Sequence, residues 1–165
     1  NSEFNASVPV DAPRYDPTKE HAFSGSLGPF ESKGLIAAID TFRSNWPQAR
    51  VICYSAPFIP DFTAEIIAKG TLDSFTRSLW EIAKRCDAFR DFNIPNTLTN
   101  DYSLTYDGIH YRPETNIRFA KVFAGSGEFP ESDISGLTPE QYSQVYRDAM
   151  ARLEGKDAAP TPAKP

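Results

Sequence analysis

The sequence predicts an α/β fold, an α/β/α three-layer sandwich around a parallel sheet, from the way short apolar runs alternate with helical periods. A helical period over residues 30–46 precedes the apolar run "ARVICYSAP", and a second over 72–86 precedes "DAFRDFN". Strands that alternate with helices give parallel sheets, because each crossover helix returns the chain to the same end of the sheet.

The elements follow in chain order. Residues 2–8, "SEFNASV", read as the end of a strand, and the long polar, proline-rich segment after them carries no helical period. Leu35, Ile36, Ile39, Phe42 and Trp46 then mark one apolar face of a helix that stops before Pro47. The run "ARVICYSAP" lies between Pro47 and Pro57, and its unbroken apolar character predicts a central parallel strand covered on both faces. Leu72, Phe75, Leu79, Ile82, Ala83 and Cys86 define the next helix, and "DAFRDFN" is the third strand. "IPNTLTNDYSLTYDGIHY" is polar and turn-rich, a loop. Pro113 opens a helix bearing Ile117, Ala120, Val122 and Phe123, which Gly125 ends. Thr138, Pro139 and Gln141 form a capping-box signature for a last helix, with Tyr142, Val145, Tyr146, Ala149 and Leu153 on its apolar face. Residues 1–154 make one domain, and the Ala/Pro-rich tail 155–165 is expected to be disordered. Three strands are few for such a sandwich, so its first strands are expected upstream of Asn1.

Composition removes several function classes. A net charge of -5 and no basic run interleaved with aromatics argue against a nucleic-acid partner. No apolar run approaches the roughly 18 residues that span a bilayer. Cys53 and Cys86 lack metal-ligand spacing and read as two buried free thiols in preference to one disulfide. "NAS" at residues 5–7 fits an N-glycosylation acceptor, which tilts the expectation toward an extracellular or secretory protein.

The chemistry concentrates in "YDGIHYRP". Its loop follows the last strand and precedes a helix, so it belongs at the carboxyl end of the sheet, where ligands bind in open α/β folds. An aspartate three residues before a histidine, with a glycine between them to let the chain turn, can accept the Nδ1 proton of His110. Asp107 then orients the ring and Nε2 faces outward as a general base. The other reading is an exposed histidine capped locally by Asp107. His21, beside Glu20 in a charged segment, reads as solvated. Asp107 and His110 supply only two potential metal ligands, too few for a metal-dependent hydrolase, so no metal or other cofactor is expected.

Asp107-Gly108-Ile109-His110, set between a last strand and a C-terminal helix, resembles the Asp-x-x-His motif of the SGNH, or GDSL-type, hydrolases. The resemblance covers about residues 36–123: helix, buried strand ending in "SAP", helix, short strand, polar loop, "DGIHY", helix. It implies a serine ester hydrolase or O-acyltransferase acting on ester-linked acyl groups, with O-acetyl on carbohydrate the substrate class that fits best. The family's Gly-Asp-Ser nucleophile block does not occur in this sequence. Ser26 in "FSGSLG" takes the serine place, but Gly25 stands where the aspartate belongs and no apolar strand precedes it. Ser24 or Ser26 making a turn is the competing reading. Asn5 sits where the family places an oxyanion donor, though without the accompanying glycine; otherwise it is a strand-end or glycosylated residue.

Tyr102, Tyr106 and Tyr111 flank the motif and are candidates for substrate contact, or packing residues. The partners expected are an acylated small molecule or carbohydrate, together with an N-terminal complementary segment or chain that carries the nucleophile. The competing class is a non-catalytic SGNH-like module that binds carbohydrate or a protein partner.

Overall fold

The computed structural model describes residues 30–155. The strand expected at residues 2–8, the segment with His21 and Ser26, and the tail beyond Gly155 lie outside them. The described chain is a mixed α/β structure with a small parallel sheet. Its elements are α1 (Lys33–Asn45), β1 (Ile52–Ser55), α2 (Pro60–Ala68), α3 (Leu72–Ala83), β2 (Ala88–Asp91), α4 (Pro113–Phe123) and α5 (Pro139–Leu153). Two 3-10 turns, Tyr102–Leu104 and Pro130–Ser132, punctuate the loops around α4.

β1 pairs with β2 in parallel, Cys53 opposite Phe89 and Ser55 opposite Asp91. Side chains alternate across a strand. Cys53 faces the main core, built from Ile39, Phe62, Ile66, Leu72, Phe75, Phe89 and the tyrosines of α5. Ile52 and Tyr54 face the other way and are 50% and 60% exposed. The expectation of a strand covered on both faces therefore fails for the described residues. On that side α4 turns Phe119 and Val122 toward Phe92, Leu98 and Tyr111 in a second, smaller core, and the rings of Phe92 and Phe123 meet Tyr54 at its edge.

The cysteines are not free thiols. Cys53 and Cys86 form a disulfide that ties β1 to the turn following α3. Sequence spacing carries no information on this pairing. The α3–β2 connection returns Cys86 to within 5.9 Å of Cys53, measured between Cα atoms, a separation suited to a bridge.

Three helices depart from the sequence expectation. No periodic signal marks α2, a nine-residue helix whose Pro60, Phe62, Thr63 and Ile66 are all buried. Its outer side carries Asp61 with Ala64 and Ala68, so the exposed positions offer little polar contrast, and Thr63, Ile66 and Ile67 are β-branched, weak helix formers. In α1 the predicted apolar face divides: Ile39 is buried while Leu35, Phe42 and Trp46 are exposed. In α4 the buried positions are Thr115, Phe119 and Val122, whereas Ile117 and Phe123 face outward.

α5 closes the main core. Thr138 Oγ1 accepts from the Gln141 amide, and Gln141 Oε1 accepts from the Thr138 amide at 2.8 Å, the predicted capping box. Tyr142 and Tyr146 are fully buried and donate their hydroxyls to Oδ2 of Asp91 at the end of β2, Tyr146 from 2.6 Å. The Asp91 carboxylate also accepts the Asn93 amide at 3.0 Å. Burial raises the Asp91 carboxyl above its usual range despite these hydrogen bonds.

Candidate functional site

The loop between β2 and α4 is shaped by short side chains that bond the backbone. Asn96 Oδ1 accepts the amides of Leu98 and Thr99, and Asp101 Oδ1 accepts that of Ser103. Both are turn-forming contacts that Asn and Asp make at little cost. A β-bridge between Thr105 and Tyr111 then closes a narrow turn around Asp107–His110.

Thr105 fastens that turn from inside. Its fully buried hydroxyl accepts the Gly108 amide at 2.9 Å and donates to the His110 carbonyl at 3.1 Å. The Tyr106 amide donates to the same carbonyl, and the Gly108 carbonyl accepts the Ile59 amide at the entry to α2. Gly108 has φ 88°, a left-handed conformation that glycine adopts without a Cβ penalty.

Within this frame Asp107 uses both oxygens. Oδ1 accepts the amides of Ile109 at 2.9 Å and His110 at 2.7 Å, and Oδ2 lies 2.6 Å from His110 Nδ1. Partial burial opposes the charge on Asp107, but the His110 amide, the imidazole and the Ile109 amide outweigh it and hold the carboxyl below its usual range. An ionised carboxylate only accepts, so Nδ1 carries a proton, and in the neutral imidazole the lone pair is on Nε2. The ring is 74% exposed, and among the described residues nothing hydrogen-bonds Nε2. The arrangement can take a proton from a hydroxyl brought to Nε2 and return it to a leaving group.

His110 stands at the rim of an open cleft of ≈ 460 Å³ formed by Tyr54, Ala56 and Pro57 at the end of β1, Phe92 after β2, Ile109 and Tyr111 beside His110, and the outward face of α4. Of the candidate tyrosines, only Tyr111 borders it. Tyr111 is buried in the smaller core, with its hydroxyl 3.4 Å from the Thr99 carbonyl, and burial pushes its phenol up. Tyr102 donates to Asp61 at 2.9 Å, and Tyr106 lies under the Arg112 guanidinium. Neither lines the cleft. Asn5 and Ser26 lie outside the described residues. Tyr54, Phe92 and Phe123, none of which the sequence marks as a site residue, supply the cleft's aromatic wall. A signal existed in α4, where apolar residues at 117, 119, 120, 122 and 123 encircle more of the helix than one buried face needs.

No family model matches the chain, and neither a curated protein nor a solved structure matches it.

Proposed function

We propose that the protein contributes the base and its orienting carboxylate to a serine ester hydrolase or O-acyltransferase of SGNH type, its described elements being the C-terminal portion of a larger three-layer sandwich. The observation that supports this reading best is the Asp107–His110 pair, with Oδ2 at 2.6 Å from Nδ1, both carboxylate oxygens engaged, and Nε2 facing open space.

In this mechanism Nε2 of His110 takes the proton of a serine hydroxyl as the serine oxygen bonds to the ester carbonyl carbon. Asp107 stabilises the imidazolium that forms. Collapse of the tetrahedral intermediate breaks the bond to the alcohol oxygen, which leaves with the proton from Nε2. Water or a second hydroxyl repeats the sequence and releases the acyl group, giving hydrolysis or transfer. The serine comes from a complementary N-terminal segment or chain, with Ser26 the less favoured alternative and Asn5 the proposed oxyanion donor. O-acetyl on carbohydrate enters as an expectation from the resemblance alone. The disulfide between Cys53 and Cys86 fits an oxidising compartment and so supports an extracellular or secretory placement.

The second reading, a non-catalytic binding module, is favoured by one observation: no serine hydroxyl reaches Nε2 among the described residues. A serine-reactive phosphonate separates the two. It is applied to the 165-residue chain alone and to the chain joined to whatever its reading frame encodes before Asn1. Labelling that is absent from the first, present in the second and lost in His110→Ala is the expected result. Labelling unaffected by His110→Ala overturns the assignment of the base.

A further inference from the structure

The cleft that opens onto His110 has walls of a particular kind. Tyr54, Phe92, Phe119 and Phe123 contact one another in tilted and edge-to-face pairs, with centroids 6.3 Å apart for Tyr54–Phe92, 5.7 Å for Phe92–Phe123 and 4.9 Å for Phe92–Phe119. Ala56, Pro57, Ile109 and Ala120 complete an apolar lining. Tyr54 and Phe123 are 60% and 42% exposed, so the ring surfaces face the cleft and not only each other. Its polar side chains are few. Beyond His110 and the tyrosine hydroxyls there is Asn116, whose Nδ2 donates to the Tyr111 carbonyl at 2.9 Å. Its volume of ≈ 460 Å³ falls in the range of small-molecule sites, far more than a methyl group fills.

We infer that this cleft is the acyl site, and that it takes an apolar acyl group of medium length or with an aromatic ring in preference to acetyl. The inference rests on the ester-hydrolase reading and narrows it. An ester whose carbonyl lies within reach of a serine on Nε2 has two substituents at that point, the alcohol and the acyl chain. A sugar alcohol needs hydrogen-bonding groups, which the cleft scarcely offers. An acyl chain needs only to leave water, and each methylene it buries raises affinity about fourfold. The aromatic wall therefore selects for the acyl side, and the alcohol is left to the polar, exposed rim that holds His110 and Asp107.

The test is binding of octanoate and of acetate to the full chain, followed by amide chemical shifts in NMR. Octanoate is expected to bind at least tenfold more tightly than acetate, moving the amides of Ile109, Asn116 and Ala120. Tyr54→Ala and Phe123→Ala are expected to weaken octanoate at least fivefold, with Phe123→Leu restoring most of the loss; both positions are exposed, so folding should survive, as the unchanged spectrum elsewhere will show. Equal binding of the two acids, or octanoate shifts indifferent to both variants, overturns the inference. The two readings fail separately. Octanoate bound in the cleft beside an ester turnover that ignores His110 removes the catalytic reading and leaves the apolar site. His110-dependent turnover that favours acetyl over octanoyl esters removes the acyl-chain inference and leaves the catalytic reading.

Discussion

Cys53, in the second position of β1, is bonded to Cys86, 33 residues later in the turn that follows α3. The bridge closes a loop that contains α2 and α3, so it ties the sheet to the two helices that build much of the main core. The chain-entropy account gives a loop of this length ~3–4 kcal/mol of stabilisation. Urea unfolding of the double variant Cys53→Ala/Cys86→Ala should show a loss of that order. The unreduced, denatured wild-type chain should show no free thiol. Two reactive thiols per chain would place the pair outside the folded state's bonding.

Asp91 carries the pH dependence of the core. Its carboxyl is raised in the fold, because burial penalises the charge more than the hydrogen bonds from Tyr142, Tyr146, the Asn93 amide and Ser55 favour it. A carboxyl that holds its proton more tightly folded than unfolded stabilises fully below the unfolded value of about 3.9 and loses that contribution as pH rises through the folded value. Asp91→Asn cannot ionise. It should cost ~1–3 kcal/mol at pH 4, where an acceptor is lost, and compare more favourably with wild type at each step toward pH 8. Urea midpoints at pH 4, 6 and 8 measure the trend, and parallel pH curves for the two proteins would contradict it. Asp91→Ala removes the carboxylate to which both tyrosine hydroxyls donate and opens a void, so it should cost ~3–5 kcal/mol.

Asp107 shows the opposite dependence. Its carboxyl is held below its usual range, so its contribution is present above about pH 4 and disappears as pH falls through the lower folded value. Asp107→Asn should remove this acid-side component from the unfolding curve. In a catalytically competent form it should also cut ester turnover by roughly 10⁴, the size of the loss when a triad aspartate is replaced, while His110→Ala abolishes it. Turnover within tenfold of wild type for Asp107→Asn would mean that the carboxylate does not set the ring.

Thr105 should matter to the same turn without touching substrate. Thr105→Val keeps the shape of the side chain but removes the hydroxyl that joins the Gly108 amide to the His110 carbonyl. Leaving the buried amide unpaired is worth ~1–3 kcal/mol. Faster amide hydrogen exchange at Gly108 and Tyr106 is the expected readout, and unchanged protection there would show that other contacts hold the turn.

Features whose cause is local follow from residue identity. Pro113 as the first residue of α4, Gly125 after its end, and the Thr138/Gln141 box of α5 depend on backbone groups within one helical turn, so a few residue identities suffice to specify them. The Asp107–His110 contact is equally local, a three-residue span with Gly108 at the bend, and its hydrogen bond was legible before any coordinate. Features that depend on distant partners follow from packing. The pairing of Cys53 with Cys86 follows from where α3 delivers the chain. The helix over Pro60–Ala68 exposes Asp61, Ala64 and Ala68, and alanines on its outer side weaken the polar contrast that marks a surface helix, so its burial against the core decides it. Which side of α4 faces the core, and hence that Phe123 and Tyr54 line the cleft at His110, depends on how Phe92 and Phe119 pack. Hydrophobicity drives burial without direction, so a sequence with apolar residues on two sides of a helix leaves that choice to the packing.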